Sequence, residues 1–61
     1  MNYHGDYKGW DIFTELIPHN KMLNVWARKD SELIKEKTFG YTEAEVVYSM
    51  KAKIDEWEAS K

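Results

Sequence analysis

Hydrophobic positions along this chain follow two periods. Through residues 21–29 they alternate: Leu23, Val25 and Ala27 fall on one side and Met22, Asn24, Trp26 and Arg28 on the other. That period of two marks a half-buried strand. Residues 9–17, GWDIFTELI, are rich in aromatic and branched side chains and predict a strand before this one, stopped by the turn-forming Pro18-His19-Asn20. Residues 32–39, ELIKEKTF, predict a third strand of less regular alternation after the polar turn Lys29-Asp30-Ser31. Three short strands joined by short turns form an antiparallel meander.

From residue 43 the period lengthens. Val46, Val47, Met50, Ile54 and Trp57 recur at helical spacing, with Glu45, Ala52 and Glu56 opposite. Thr42 precedes Glu45 by three residues, the spacing of a capping box, and Tyr41 and Val46 stand where a hydrophobic staple would place them. Glu43 and Glu45 also suit the positive end of the helix dipole. These signals predict a helix over 43–59. The meander has one apolar face to bury and the helix is the element available to bury it. The predicted fold is therefore α+β: a three-stranded antiparallel meander packed on one C-terminal helix, β-β-β-α in two layers, as a single domain over 1–61.

The alternation then sorts side chains by face. Trp10, Ile12 and Leu16, with Leu23, Val25 and Ala27, are expected against the helix. In the last strand Ile34 is favoured inward, which sends Leu33 outward. The opposite, bare face would display Phe13, Met22, Trp26, Arg28, Lys35 and Lys37, along with Asp11 and Glu15. A slip of one residue would reverse any of these assignments. Tyr3 and Tyr7, ahead of the first predicted strand, are expected to close one end of the core.

Charge sharpens this picture. The net charge is −2, but residues 1–20 set Lys8 against Asp6, Asp11 and Glu15, while residues 21–40 carry five cations against three acids. The middle is basic and both ends are acidic, which disfavours a wholly basic nucleic-acid binder and leaves room for a local basic face. A chain of this size buries only about 60% of its surface, so the core is small. It has no cysteine, hence no disulfide, which suits a reducing cytoplasm. The opening residues MNYHGDYKGW lack the apolar block of a secretion signal, and no apolar run approaches the roughly 18 residues of a membrane span. A cytoplasmic protein without a membrane segment is expected.

Little in the chain points to catalysis. His4 and His19 are far apart with no cysteine nearby, so zinc-ligand spacing is missing; they read as exposed loop histidines. Asn-Tyr-His could hold copper or nickel only at a free terminus, and the bulky Asn2 favours retention of Met1. Asp55, Glu56 and Glu58 read as the solvated tail of the helix, with Lys51 and Asp55 spaced as an i,i+4 pair. The serines lack a neighbouring histidine, and the three glycines are too scattered for a phosphate loop. No enzyme activity, cofactor or metal is expected.

At KTFGYTEAEVVYSMKAKIDEW the chain resembles two small β-β-β-α groups. One is the HicB-type antitoxin domain, whose third strand leads into a similar acidic helix. The other is the arm-type DNA-binding domain of phage integrases, where an FG-x-x-x-x-EA pattern follows the third strand. Both resemblances imply the fold; the second also implies that the sheet face contacts DNA. The chain parts from the arm domains in being acidic overall. It parts from HicB-type sequences in lacking a glycine-rich segment between its first two predicted strands.

The functional expectation rests on the bare face. Trp, Phe, Met and Arg together are enriched at protein interfaces. The leading expectation is thus a non-catalytic interaction module that binds a protein partner or pairs as a homodimer through Phe13, Met22, Trp26, Arg28, Lys35 and Lys37. Aromatic and cationic side chains equally suit stacked bases and phosphates, so nucleic acid is the alternative partner. The third reading has the Arg28 and Lys35 stems merely shielding Trp26.

Overall fold

The computed structural model describes residues 1–61. It has one antiparallel sheet of four strands in the order β1 (Asn2–Tyr7), β2 (Trp10–Ile17), β3 (Met22–Lys29) and β4 (Glu32–Phe39), followed by the helix α1 (Glu43–Ala59). The architecture is α+β as expected, but the sheet has four strands rather than three. No helix is long and apolar enough to cross a membrane.

The extra strand lies where Tyr3 and Tyr7 were expected only to close the core. It pairs antiparallel with β2 through the two-residue turn Lys8-Gly9. Both turn residues have positive φ, 53° and 85°. This is the backbone of a type I′ hairpin, whose twist matches that of its strands, and Gly9 adopts it without strain. Between the pairs Tyr3↔Phe13 and Asp6↔Asp11 the register shifts, so His4 and Gly5 together oppose Ile12. Gly5 takes φ +83° within this bulge. The bulge turns Tyr3 and Tyr7 to opposite faces: Tyr3 stands beside Phe13 on the outer face, and Tyr7 packs against the core.

The core is Trp10 and Ile12 of β2, Leu23, Val25 and Ala27 of β3, and Val46, Met50 and Ile54 of α1, with Tyr7, Ile34 and Val47 packed against it. Trp10, Ala27, Met50 and Ile54 are fully buried. Ala27 is small where Ile34 sits opposite it on β4, which lets the helix approach the sheet. Ile34 therefore faces the helix, and Leu33 is exposed.

Two expected core positions differ. Leu16 is 57% exposed, because β1 ends opposite Thr14 and leaves Leu16 without a neighbour on that side. Thr14, which shares its face, is the buried residue; its Oγ1 is 2.7 Å from His4 Nε2, so the polar atom has a partner. Trp57 sits at the rim, 40% exposed, edge-on to Trp10 with ring centroids 6.0 Å apart. His4 is accordingly a half-buried strand residue rather than an exposed loop one, with Glu43 Oε2 3.5 Å from its Nε2.

The helix start has the capping box. Glu45 N–H donates to Thr42 Oγ1 at 3.2 Å, and Thr42 N–H donates to Glu45 Oε1 at 3.0 Å. Tyr41 is nonetheless 58% exposed. Thr42→Ala is expected to lower stability by about 1 kcal/mol, read as a reduced urea midpoint with an unchanged slope.

The helix end is not a solvated tail. Trp10 Nε1 donates to Glu58 Oε1 at 2.8 Å, and Lys29 Nζ reaches the same oxygen at 3.1 Å. Tyr7 OH donates to Asp55 Oδ1 at 2.9 Å, and Lys8 Nζ lies 2.6 Å from that oxygen. Asp55 thus pairs with the first hairpin turn rather than with Lys51, whose Nζ lies 5.5 Å from the centre of the Tyr7 ring. Glu32 accepts from Trp57 Nε1 and Lys61 Nζ, both at 2.9 Å. These donors hold the Asp55, Glu58 and Glu32 carboxyls below their ordinary range, the lysine bond leading for Asp55 and Glu32 and the Trp10 bond for Glu58.

Candidate functional site

The helix covers one side of the sheet and nothing in the chain covers the other. Strand register sets out that outer face in rows. Phe13 of β2 lies opposite Trp26 of β3, which lies opposite Lys35 of β4. One row along, Asp11, Arg28 and Leu33 are aligned; in the other direction come Glu15, Asn24 and Lys37, then Ile17, Met22 and Phe39. The structure therefore brings all six expected face residues onto one surface. Met22 stands two rows away from the aromatic pair.

The centre is an aromatic ladder. The rings of Phe13 and Trp26 are stacked, centroids 5.6 Å apart and planes 18° from parallel. Tyr3 extends the ladder from β1, 5.3 Å from Phe13 and tilted by 45°. The Arg28 guanidinium carbon is 6.0 Å from the Phe13 ring centre, at the limit of a cation–π contact. Phe13 and Trp26 are half-buried, Tyr3 is 59% exposed, and Arg28, Lys35 and Lys37 are exposed. Beside Trp26 a shallow groove of about 390 Å³ is lined mainly by Asn24, Trp26, Arg28, Leu33, Lys35 and Lys37.

Charges on this face are sorted by side. Asp6, Asp11 and Glu15 belong to β1 and β2; Arg28, Lys35 and Lys37 belong to β3 and β4. Elsewhere Lys8, Lys29, Lys53 and Lys61 form ion pairs that tie the sheet and its turns to the helix and to the residues beyond it. Arg28, Lys35 and Lys37 form none, and neither do Asp6 and Glu15. Asp11 accepts from Tyr3 OH at 3.0 Å, which favours the neutral phenol and raises the Tyr3 pKa. Asn24 Oδ1 is buried in this face with no donor in the chain.

Tyr3 and Asp6 are the members that the strand pattern could not supply, because they lie on β1. The signal that could have found them is Lys8-Gly9 with an aromatic on each side, a two-residue hairpin turn. A second, wider groove of about 800 Å³ runs between β4 and the first half of α1, past the exposed Phe39, Tyr41 and Tyr48. Its acids are already engaged, Glu45 in the helix cap and Glu36 with Lys53.

Comparison with family models, with curated proteins and with solved structures found no match to this chain. The outer face itself thus carries the functional argument.

Proposed function

We propose that this chain is a small, non-catalytic protein-interaction module that works through the outer sheet face. The observation that carries the reading is the stacked Phe13–Trp26 pair on an uncovered sheet, flanked by Arg28, Lys35 and Lys37 without ion partners. Aromatic and arginine anchors supply most of the affinity in protein interfaces, at the centre of a patch with a polar rim. Here the aromatics are central and the charges peripheral. The absence of cysteine suits work in a reducing cytoplasm.

Nucleic acid is the second reading, and the same six residues support it through stacking and phosphate contact. Asp6, Asp11 and Glu15 weigh against it. They occupy half of the face on which a phosphate backbone would lie, and each repels it.

The test is retention on the immobilised chain in a native extract, run beside Trp26→Ala. At least one protein, a second copy of this chain included, is expected to be held by the native chain and released from the variant at least tenfold more readily. Far-UV circular dichroism is expected to be the same for both, because Trp26 points away from the core. Equal retention by the two chains would overturn the reading. Retention of nucleic acid alone, lost steeply with added salt, would replace it with the second one.

A further inference from the structure

We infer that the occupant of the outer face is a second copy of this chain, in a face-to-face dimer whose two-fold axis runs along the strands. This rests on the interaction reading above and names its partner. The face is electrically two-sided: three acids lie on its β1–β2 half and three cations on its β3–β4 half, and the aromatic ladder crosses from one half to the other. Such a face complements itself under one operation. Rotation about an axis parallel to the strands lays β1 and β2 of one protomer over β4 and β3 of its partner. The acidic half of each protomer then lies against the basic half of its partner, with Asp11 directly over the partner's Arg28 on both sides of the axis. Rotation about the perpendicular in-plane axis lays acids on acids and is excluded by repulsion.

Register supports the same arrangement. With β2 over the partner's β3, Asp11 lies over the partner's Arg28, Phe13 over its Trp26, and Ile17 over its Met22. These are the pairs that β2 and β3 already make within the sheet. Two sheets stacked this way form a sandwich with helices on both outer sides. Its strands stay aligned to within about 30°.

The sheet edges offer the other route to a dimer, and both are blunted. β1 carries its bulge at His4 and Gly5, and β4 presents Lys35 and Lys37. Bulges and edge lysines are devices against edge pairing. Area sets the strength. A face of three eight-residue strands and one of six measures at most roughly 27 by 19 Å, so two such faces remove on the order of 1,000 Å² from water. That is the lower bound for a specific interface, and the dimer is reversible and concentration-dependent.

The test is sedimentation equilibrium of the purified chain over a wide concentration range, with two charge-reversed variants. One carries Lys35→Glu and Lys37→Glu; the other carries Asp6→Lys and Glu15→Lys. None of these four residues forms an ion pair within the chain, so both variants are expected to keep the native circular dichroism. The native chain is expected to rise from its 7.3 kDa monomer towards twice that mass. Each variant alone is expected to dissociate roughly 100-fold more readily, and an equimolar mixture to regain a dimer of one chain of each kind. Variants that dimerise as well as the native chain would place the contact elsewhere and overturn the inference. Failure of the mixture to recover would overturn charge complementarity as the basis of the pairing. A native chain that stays monomeric would overturn self-pairing while leaving Trp26-dependent capture of a different protein intact, so the two readings fail separately. Salt-sensitive binding of a single-stranded oligonucleotide by that monomer, lost on Lys35→Glu with Lys37→Glu, would assign the face to nucleic acid.

Discussion

Trp10→Ala is expected to leave the chain largely unfolded at 25 °C. Trp10 is a fully buried member of the core at the start of β2, edge-on to Trp57, and its Nε1 holds Glu58 on the last turn of the helix. Truncating a buried tryptophan costs about 3–5 kcal/mol. A domain of this size has roughly 3–9 kcal/mol in total. There is no disulfide to limit the unfolded chain. Trp10→Phe keeps an aromatic ring in the site and is expected to fold, with a lower urea midpoint. The measurement is far-UV circular dichroism across a urea titration. A Trp10→Ala chain with a midpoint near that of the native protein would show that the core does not depend on this ring.

The second large effect is acid unfolding. In the folded chain Asp55, Glu58, Glu32 and Glu45 all titrate below their ordinary values, held by Lys8, Trp10, Lys61 and the Thr42 backbone respectively. A carboxyl whose folded pKa is depressed contributes stability that is fully present above its unfolded pKa and lost as pH falls through the folded one. The unfolded values are 4.5 for Glu and 3.8 for Asp. Stability is therefore expected to be level above about pH 5.5 and to decline steadily below 4.5. Glu58→Gln supplies the check. It is expected to be less stable than the native chain at pH 7, with the gap closing as both are taken towards pH 3. A gap that stays constant with pH would mean that the Glu58 charge takes no part. At the alkaline end the signs reverse. Lys8 and Lys61 are raised above 10.5 by hydrogen bonds to Asp55 and Glu32, and their contribution is lost only as pH rises through those values.

Much of this fold was legible because local signals agreed. Alternation in Met22–Lys29 defined β3 and its two faces, and Thr42 with Glu45 defined the helix start. β1 was not legible because its bulge breaks the period of two. Tyr3 and Tyr7 are four residues apart, which in an unbroken strand puts them on one face, yet the extra residue at Gly5 sends them to opposite ones. Hydrophobicity points to Leu16 rather than Thr14 as the core residue, yet burial here follows the span of the neighbouring strand. The six expected face residues followed directly from alternation. The division of the face into acidic and basic halves did not, since it depends on Asp6 and on which strand lies beside which. The anchoring of Asp55 and Glu58 was beyond reach for a similar reason: their partners lie 48 residues away.

That separation has a kinetic side. Every strand pairs with its neighbour in the chain across two or four residues, so the sheet closes only short loops and its hairpins form on a microsecond scale. The clasp from Tyr7 and Trp10 to Asp55 and Glu58 closes a loop that takes in most of the chain, the largest single loss of chain entropy in the molecule. In the finished protein the helix end is held from both hairpins, by Tyr7, Lys8 and Trp10 on one side and by Lys29 and Glu32 on the other, so it frays only when several of these contacts are released together.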